Sequence, residues 1–295
     1  MKKKFVKLTA LLLVLAFAFA ALTACTLVPN TGTKEGAEEN TNENAEEKNE
    51  ETTAAEEQAA ADSDINAVKE NGKLVVGITE YAPMDFRDEN GEWTGFDAEF
   101  AGLFAKELGV EVEFIVIEWD NKLLELDSKS IDCIWNGMTI TEEITSHCAV
   151  SDPYVKNQQV VVMKADKAAE YSDPEGMAEL SFAAEAGSAG ESAIADYIAP
   201  ADYVAVNAQS DALLEVASGS SDACVIDATM AGAMTGEGTS YADLAVAAEL
   251  SNEEYGVAFR AGSDLCAKFN EFKASLTADG SLKALADKYC LALVD

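Results

Sequence analysis

The chain reads as an α/β protein made of two successive α/β units, and three observations predict this. Short apolar runs of strand length, such as 73–78 (KLVVGI) and 112–117 (VEFIVI), alternate with stretches whose apolar residues recur at helical spacing, such as 96–108. The alternation occurs twice, once before and once after the valine-rich stretch 158–164 (QQVVVMK). The segment 65–295 is also long enough to build one large domain or two small lobes.

Ahead of that segment lie two stretches that belong to no fold. Residues 1–24 combine a basic start (Lys2, Lys3, Lys4, Lys7) with a short apolar run and end in Leu22-Thr23-Ala24, directly before Cys25. An apolar run this short, with no stop-transfer pattern behind it, is expected to be a signal peptide rather than a membrane span. The L-T-A-C ending resembles the bacterial lipobox, which implies cleavage before Cys25 and its diacylation, palmitate being the common acyl chain. The other reading is a plain signal peptide with an incidental cysteine. With the lipid, the mature protein is expected on the extracellular face of the cell membrane, in the periplasm where an outer membrane exists. Residues 25–64 are rich in Glu, Asn, Thr and Ala, as in KEGAEENTNENAEEKNEE, and have almost nothing to bury. Such a self-repelling stretch cannot offset the entropy of ordering, so a disordered acidic tether is expected.

Composition excludes some partners. The formal charge is −34, and loss of the leader lysines makes the mature chain more negative still. Nucleic acid and anionic membrane surfaces both need a basic face, so neither is expected as a partner. The chain has one histidine, His147, and no CxxC or His/Cys spacing, so no metal and no cofactor is expected. Cys133 and Cys224 fall in apolar strand patterns and read as small hydrophobes. Cys266 and Cys290 bracket two C-terminal helices and form the one pair to consider for a disulfide.

In the first unit, strand 73–78 breaks at Thr79-Glu80-Tyr81-Ala82-Pro83. Open α/β sheets place ligands at such strand ends, so Glu80 and Tyr81 are pocket candidates or merely turn residues. Asp88-Glu89-Asn90-Gly91 is a hairpin signal, and Phe96, Phe100, Leu103, Phe104 and Leu108 are expected on one buried helix face. The second strand delivers Trp119, either a rim residue or a flat wall for a ligand, while Trp135 sits within a strand pattern and reads more as core. The stretch 130–154 (SIDCIWNGMTITEEITSHCAVSDPY) runs from a buried-strand pattern into Asn136-Gly137, then Thr139 and a helix start. Gly137 lacks a Cβ, so main chain there can approach a ligand closely, and the threonines add hydroxyls.

In the second unit, strand 181–185 ends at Glu185. A small-residue loop follows (Gly187, Ser188, Gly190), then a helix at 191–198, a strand at 203–206, a helix near 212–217 and a strand at 224–226. Small residues at a helix start suit an anion. Asp227 opens the next helix, as an ordinary cap or as a charge facing a ligand. Two amphipathic helices carrying Leu265, Phe269, Phe272 and Leu276, then Leu282, Leu285 and Tyr289, are expected to cover the first unit.

The stretch D-x-x-x-x-G-M-T-I-T-x-E followed by S-x-P-Y resembles the amino-acid family of ABC-transporter substrate-binding proteins, solute-binding family 3. The opening Y-x-P-x-x-F, G-x-x-x-G-F-D and K-E-L-G-V-x-V-x-F, the loop G-S-x-G and the late E-Y-G-V-A-F extend the resemblance over the whole folded part. It implies a two-lobe α/β fold of the periplasmic-binding-protein-like type II class with two crossover strands: lobe 1 from 65–160 and 251–295, lobe 2 from 161–250. It implies that Gly137 and Thr139 contact a ligand α-carboxylate, that Trp119 stacks on the ligand side chain, that Ser188 lies in a ligand-contacting loop and that Asp227 holds the α-ammonium. By the same resemblance the protein is a monomeric binding protein rather than an enzyme, delivering an amino acid or cationic amine to an ABC permease. Dehydratases or lyases on the same scaffold, and ligand sensors, are the alternatives. One departure stands out: an arginine usually follows T-x-T-x-E to clamp the carboxylate, and here Ile144 stands there. Glu80, Glu185 and Asp227 with no clamp favour a net cationic ligand, or a carboxylate held by Thr139, Ser188 and loop N–H groups alone.

Overall fold

The computed structural model describes residues 63–200 and 202–294. The expected leader, Cys25 and the tether up to residue 62 lie outside the described residues. Two five-stranded sheets and a small hairpin carry the described fold.

The first sheet has the order β4-β1-β5-β12-β6. Strand β1 (Lys73–Ile78) is its spine, with Leu74, Val76 and Ile78 fully buried. It runs parallel to β4 (Glu111–Val116) on one side and to β5 (Cys133–Ile134) on the other. Strands β6 (Cys148–Val150) and β12 (Ala258–Arg260) complete the sheet in antiparallel pairing. The hairpin signal closes β2 (Phe86–Arg87) on β3 (Trp93–Thr94).

Helix α1 (Asp64–Asn71) is capped by Ser63 and tied to β12 by an Asp64–Arg260 ion pair of 3.1 Å. Helix α2 (Phe96–Leu108) buries Phe96, Phe100, Phe104 and Leu108, four positions one helical repeat apart, and stops at Gly109. Leu103 departs from the expected face: it is 40% exposed, because it lies on the side of the helix turned from the sheet. Trp135 is core, edge-on to Phe100 and Phe269 at 5.1 and 4.9 Å between ring centres. The first of the two C-terminal helices, Asp264–Asp279, supplies Phe269 and Phe272 to this aromatic cluster, and the second spans Ser281–Lys288.

The second sheet has the order β11-β7-β10-β8-β9. Strand β7 (Val155–Lys164) and strand β11 (Leu244–Tyr255) form its long antiparallel pair. β7 begins at Val155, three residues before the valine-rich run that marks it in the sequence. Strands β8 (Phe182–Glu185), β9 (Tyr203–Val206) and β10 (Ala223–Asp227) add a parallel half, and β10 is buried along its whole length. The chain thus passes from the first sheet to the second just before β7 and returns at Gly256 and Val257, between β11 and β12. Each sheet with its helices is one lobe, so the fold is a two-lobe α/β type with two connections.

Cys266 and Cys290, the pair considered for a disulfide, are both free thiols, one half-buried and one exposed. Among the described residues no helix is long and apolar enough to cross a membrane, and no group of His, Cys, Asp or Glu could hold a metal ion.

Candidate functional site

The carboxyl ends of β1, β4 and β5 in lobe 1 face those of β8 and β10 in lobe 2, and a cavity of about 50 Å³ lies between them. Of the ten residues the sequence singles out, eight line it: Trp119, Asn136, Gly137, Thr139, Glu185, Gly187, Ser188 and Asp227. Glu80 and Tyr81 do not. Glu80 is exposed beyond the end of β1. Tyr81 is buried one layer back: its ring sits where a Cβ on Gly137 would fall, 2.6 Å away, and its hydroxyl bonds those of Thr229 and Tyr255.

The lobes meet around Gly187. This residue has φ +69°, and a Cβ there would lie 2.8 Å from the Cα of Asp120 in lobe 1. A backbone contact this close admits only glycine.

Asp227 sits at the end of β10 in the N-cap position of helix Ala228–Met234, yet its carboxylate makes no capping hydrogen bond. It accepts instead from Asn157 Nδ2 at 2.7 Å and from the amides of Gln159 and Gln209, and its own N–H donates to Gln209 Oε1 at 2.8 Å. Glu253 of β11 shares two of these amides: its Oε1 accepts from Asn157 and Gln159, and from the Thr139 hydroxyl at 2.8 Å. Burial raises the Asp227 pKa, and the neighbouring Glu253 charge raises it further. Glu185 is pushed up to about 8 by burial first and by Asp227 second, and its Oε1 has no hydrogen-bond partner. Two buried acids with raised pKa values line one cavity, and a cation placed between them would favour their ionised forms.

The hydrogen-bond donors expected to meet a carboxylate are mostly engaged inside the protein. The Gly137 N–H donates to buried Asp97 at 2.6 Å, the Thr139 hydroxyl donates to Glu253, and the Gly187 N–H donates to Glu191 at 2.7 Å. Ser188 Oγ caps its helix by accepting from the Glu191 N–H. Asn136 braces the ends of β1 and β5 through two hydrogen bonds to Thr79. Ile144 is buried and lines the cavity, and Arg260 is far from it, held by Asp64, Asp132 and two main-chain carbonyls of lobe 1.

Several lining residues escaped the sequence reading: Lys122, Glu143, Gln159 and Gln209. Gln159 left one signal, a polar residue set directly before the apolar run of its strand. Gln209 left none, because a glutamine at the start of a helix is ordinary.

A cleft between two lobes, joined by two connections and lined with buried titratable side chains from both, defines a two-lobe solute-binding protein. Residues 74–292 match the model of the bacterial extracellular solute-binding proteins, family 3, and the chain belongs to that family. It is 31% identical over 228 residues to the L-cystine-binding protein TcyJ of Escherichia coli, covering 76% of this chain and 85% of that protein. It is 29% identical over 234 residues to the arginine-binding extracellular protein ArtP of Bacillus subtilis, covering 76% and 89%. Among solved structures, holo ArgBP from T. maritima superposes with a TM-score of 0.67 at 33% identity, covering 72% of this chain and 93% of that one. The ancestral amino acid-binding protein AncCDT-1, described as a precursor of cyclohexadienyl dehydratase, superposes with a TM-score of 0.71 at 31% identity, covering 77% and 99%.

Proposed function

We propose that this protein captures an amino acid carrying a net positive charge, or cystine, between its lobes and hands it to an ABC permease. The observation that carries this reading is the buried pair Asp227 and Glu185 on one cavity wall, joined by the half-buried Glu253 behind. An ammonium arriving there favours the ionised form of the acids and supplies the partner that burial denies their charge. The relatives named for arginine and cystine belong to the same ligand range. Each lobe supplies part of the lining, so only the closed, liganded form gains both sets of contacts, and binding drives closure. The leader and the L-T-A-C sequence support a lipid-anchored protein on the outer face of the cell membrane.

Calorimetry with L-arginine, L-cystine, L-glutamate and putrescine on the folded domain tests the reading. Arginine or cystine should bind tightest, and mass spectrometry of the released compound should recover it unchanged. Tight glutamate binding would overturn it, and a chemically altered product would point to an enzyme.

A further inference from the structure

Lys122 lies in the helix Lys122–Asp127, just beyond Trp119, and reaches from lobe 1 to lobe 2. Its ammonium donates to the Gly187 carbonyl at 2.8 Å and to the Trp119 carbonyl at 3.3 Å, and stands 5.2 Å from the centre of the Trp119 ring. Only 8% of the residue is exposed, and among the described residues no carboxylate lies within 4.0 Å of its nitrogen. The acids around it, Glu143, Glu185, Asp120 and Glu191, are all farther away. Burial pulls its pKa down, which is the direction for a cation short of a counter-ion.

A buried ammonium whose direct partners are two carbonyls and an indole ring, all neutral, is costly to hold in place. Lys122 lines the same cavity as Asp227, and Ile144, at the position where the sequence resemblance leads one to expect an arginine, lines that cavity too. The Gly137 and Gly187 N–H groups and the Thr139 hydroxyl already have protein partners.

Resting on the amino-acid reading above, we propose that Lys122 is the cation that receives the ligand's α-carboxylate, so that the cleft recognises a zwitterion through Lys122 at one end and Asp227 at the other. The missing guanidinium is replaced from a different element. A point-charge ammonium makes a less directional contact than a bidentate arginine, and it also ties the carboxylate to the lobe-closing contact at Gly187.

The test compares each amino acid with its decarboxylated amine, L-arginine with agmatine and L-cystine with cystamine, by calorimetry on the parent, Lys122→Gln and Lys122→Arg. Glutamine keeps a donor for the Gly187 carbonyl, which protects the fold. A charge-assisted bond to the carboxylate should make the parent prefer the amino acid by about tenfold or more. In Lys122→Gln that preference should collapse to within about threefold while amine affinity holds, and Lys122→Arg should restore most of it. An undiminished preference in Lys122→Gln overturns the proposal. Equal losses for amino acid and amine also overturn it, since Lys122 would then be a latch for closure. If the parent binds no amino acid, the reading on which the proposal rests falls first.

Discussion

Asp227 shows how one side chain can be mistaken for another with the same local signal. Its backbone is that of a helix cap, but its oxygens face three amides and none of the helix N–H groups. Removing its charge leaves a ligand ammonium without a partner in a desolvated site, so Asp227→Asn should weaken binding of α-amino ligands by at least tenfold, about 1.4 kcal/mol. A smaller loss by calorimetry would reduce it to a structural residue. Trp119 is 7% exposed and forms a cavity wall. Ligand binding should change the intrinsic fluorescence of the parent, and Trp119→Leu should lose most of that change. The sequence contains Trp93 and Trp135 as well, but Trp135 is sealed in the aromatic core and Trp93 lies on the hairpin strand β3. An undiminished signal in the variant would remove Trp119 from the site.

Among elements, the loop between β8 and the short helix Ala189–Ala193 decides how closely the lobes approach. Gly187 is at positive φ, and its missing Cβ leaves room for Asp120 of the other lobe. In Gly187→Ala the ligand-free protein can relieve the clash by opening, whereas the liganded form cannot. The variant should therefore lose no more than about 1–3 kcal/mol of stability without ligand, the ordinary cost of strain at such a position. Its ligand-induced rise in melting temperature should nevertheless be much reduced. An unchanged rise would mean that the lobes do not close through this contact. Gly137, also at positive φ, answers to Tyr81 within lobe 1, so its substitution should act on stability first.

For the whole molecule, the raised acids make stability depend on pH in one direction. Glu185 titrates near 8 in the folded state against roughly 4.3 in an unfolded chain, and Asp227 and Asp97 are raised by burial as well. A carboxyl whose folded pKa is raised contributes stability that is fully present below its unfolded pKa and is lost as the pH rises through its folded pKa. The ligand-free domain should therefore melt progressively lower between about pH 5 and pH 8, by about 2–4 °C for each kcal/mol lost. The excess of acidic over basic residues pushes the same way. Saturating arginine should flatten the profile, because its ammonium favours ionised Asp227, and binding near neutral pH should release protons. A melting temperature that rises over this interval would show that these acids are ionised throughout.

The sequence by itself determined what depends on local pattern. Alternating apolar periods marked the strands and helices of both lobes, and the turn at Asp88–Gly91 and the helix start after Thr139 were legible from residue type. The family resemblance added the cleft, and eight of ten candidate residues line the cavity because strand ends in open sheets converge on one edge. Only the tertiary structure decided how charge is arranged there. Lys122, Gln159, Gln209 and Glu253 lie far apart along the chain and acquire their roles only when lobes and strands bring them together. No local period records such a meeting. A buried lysine and an exposed one look the same in sequence, and they differ only in what surrounds them once water has been excluded.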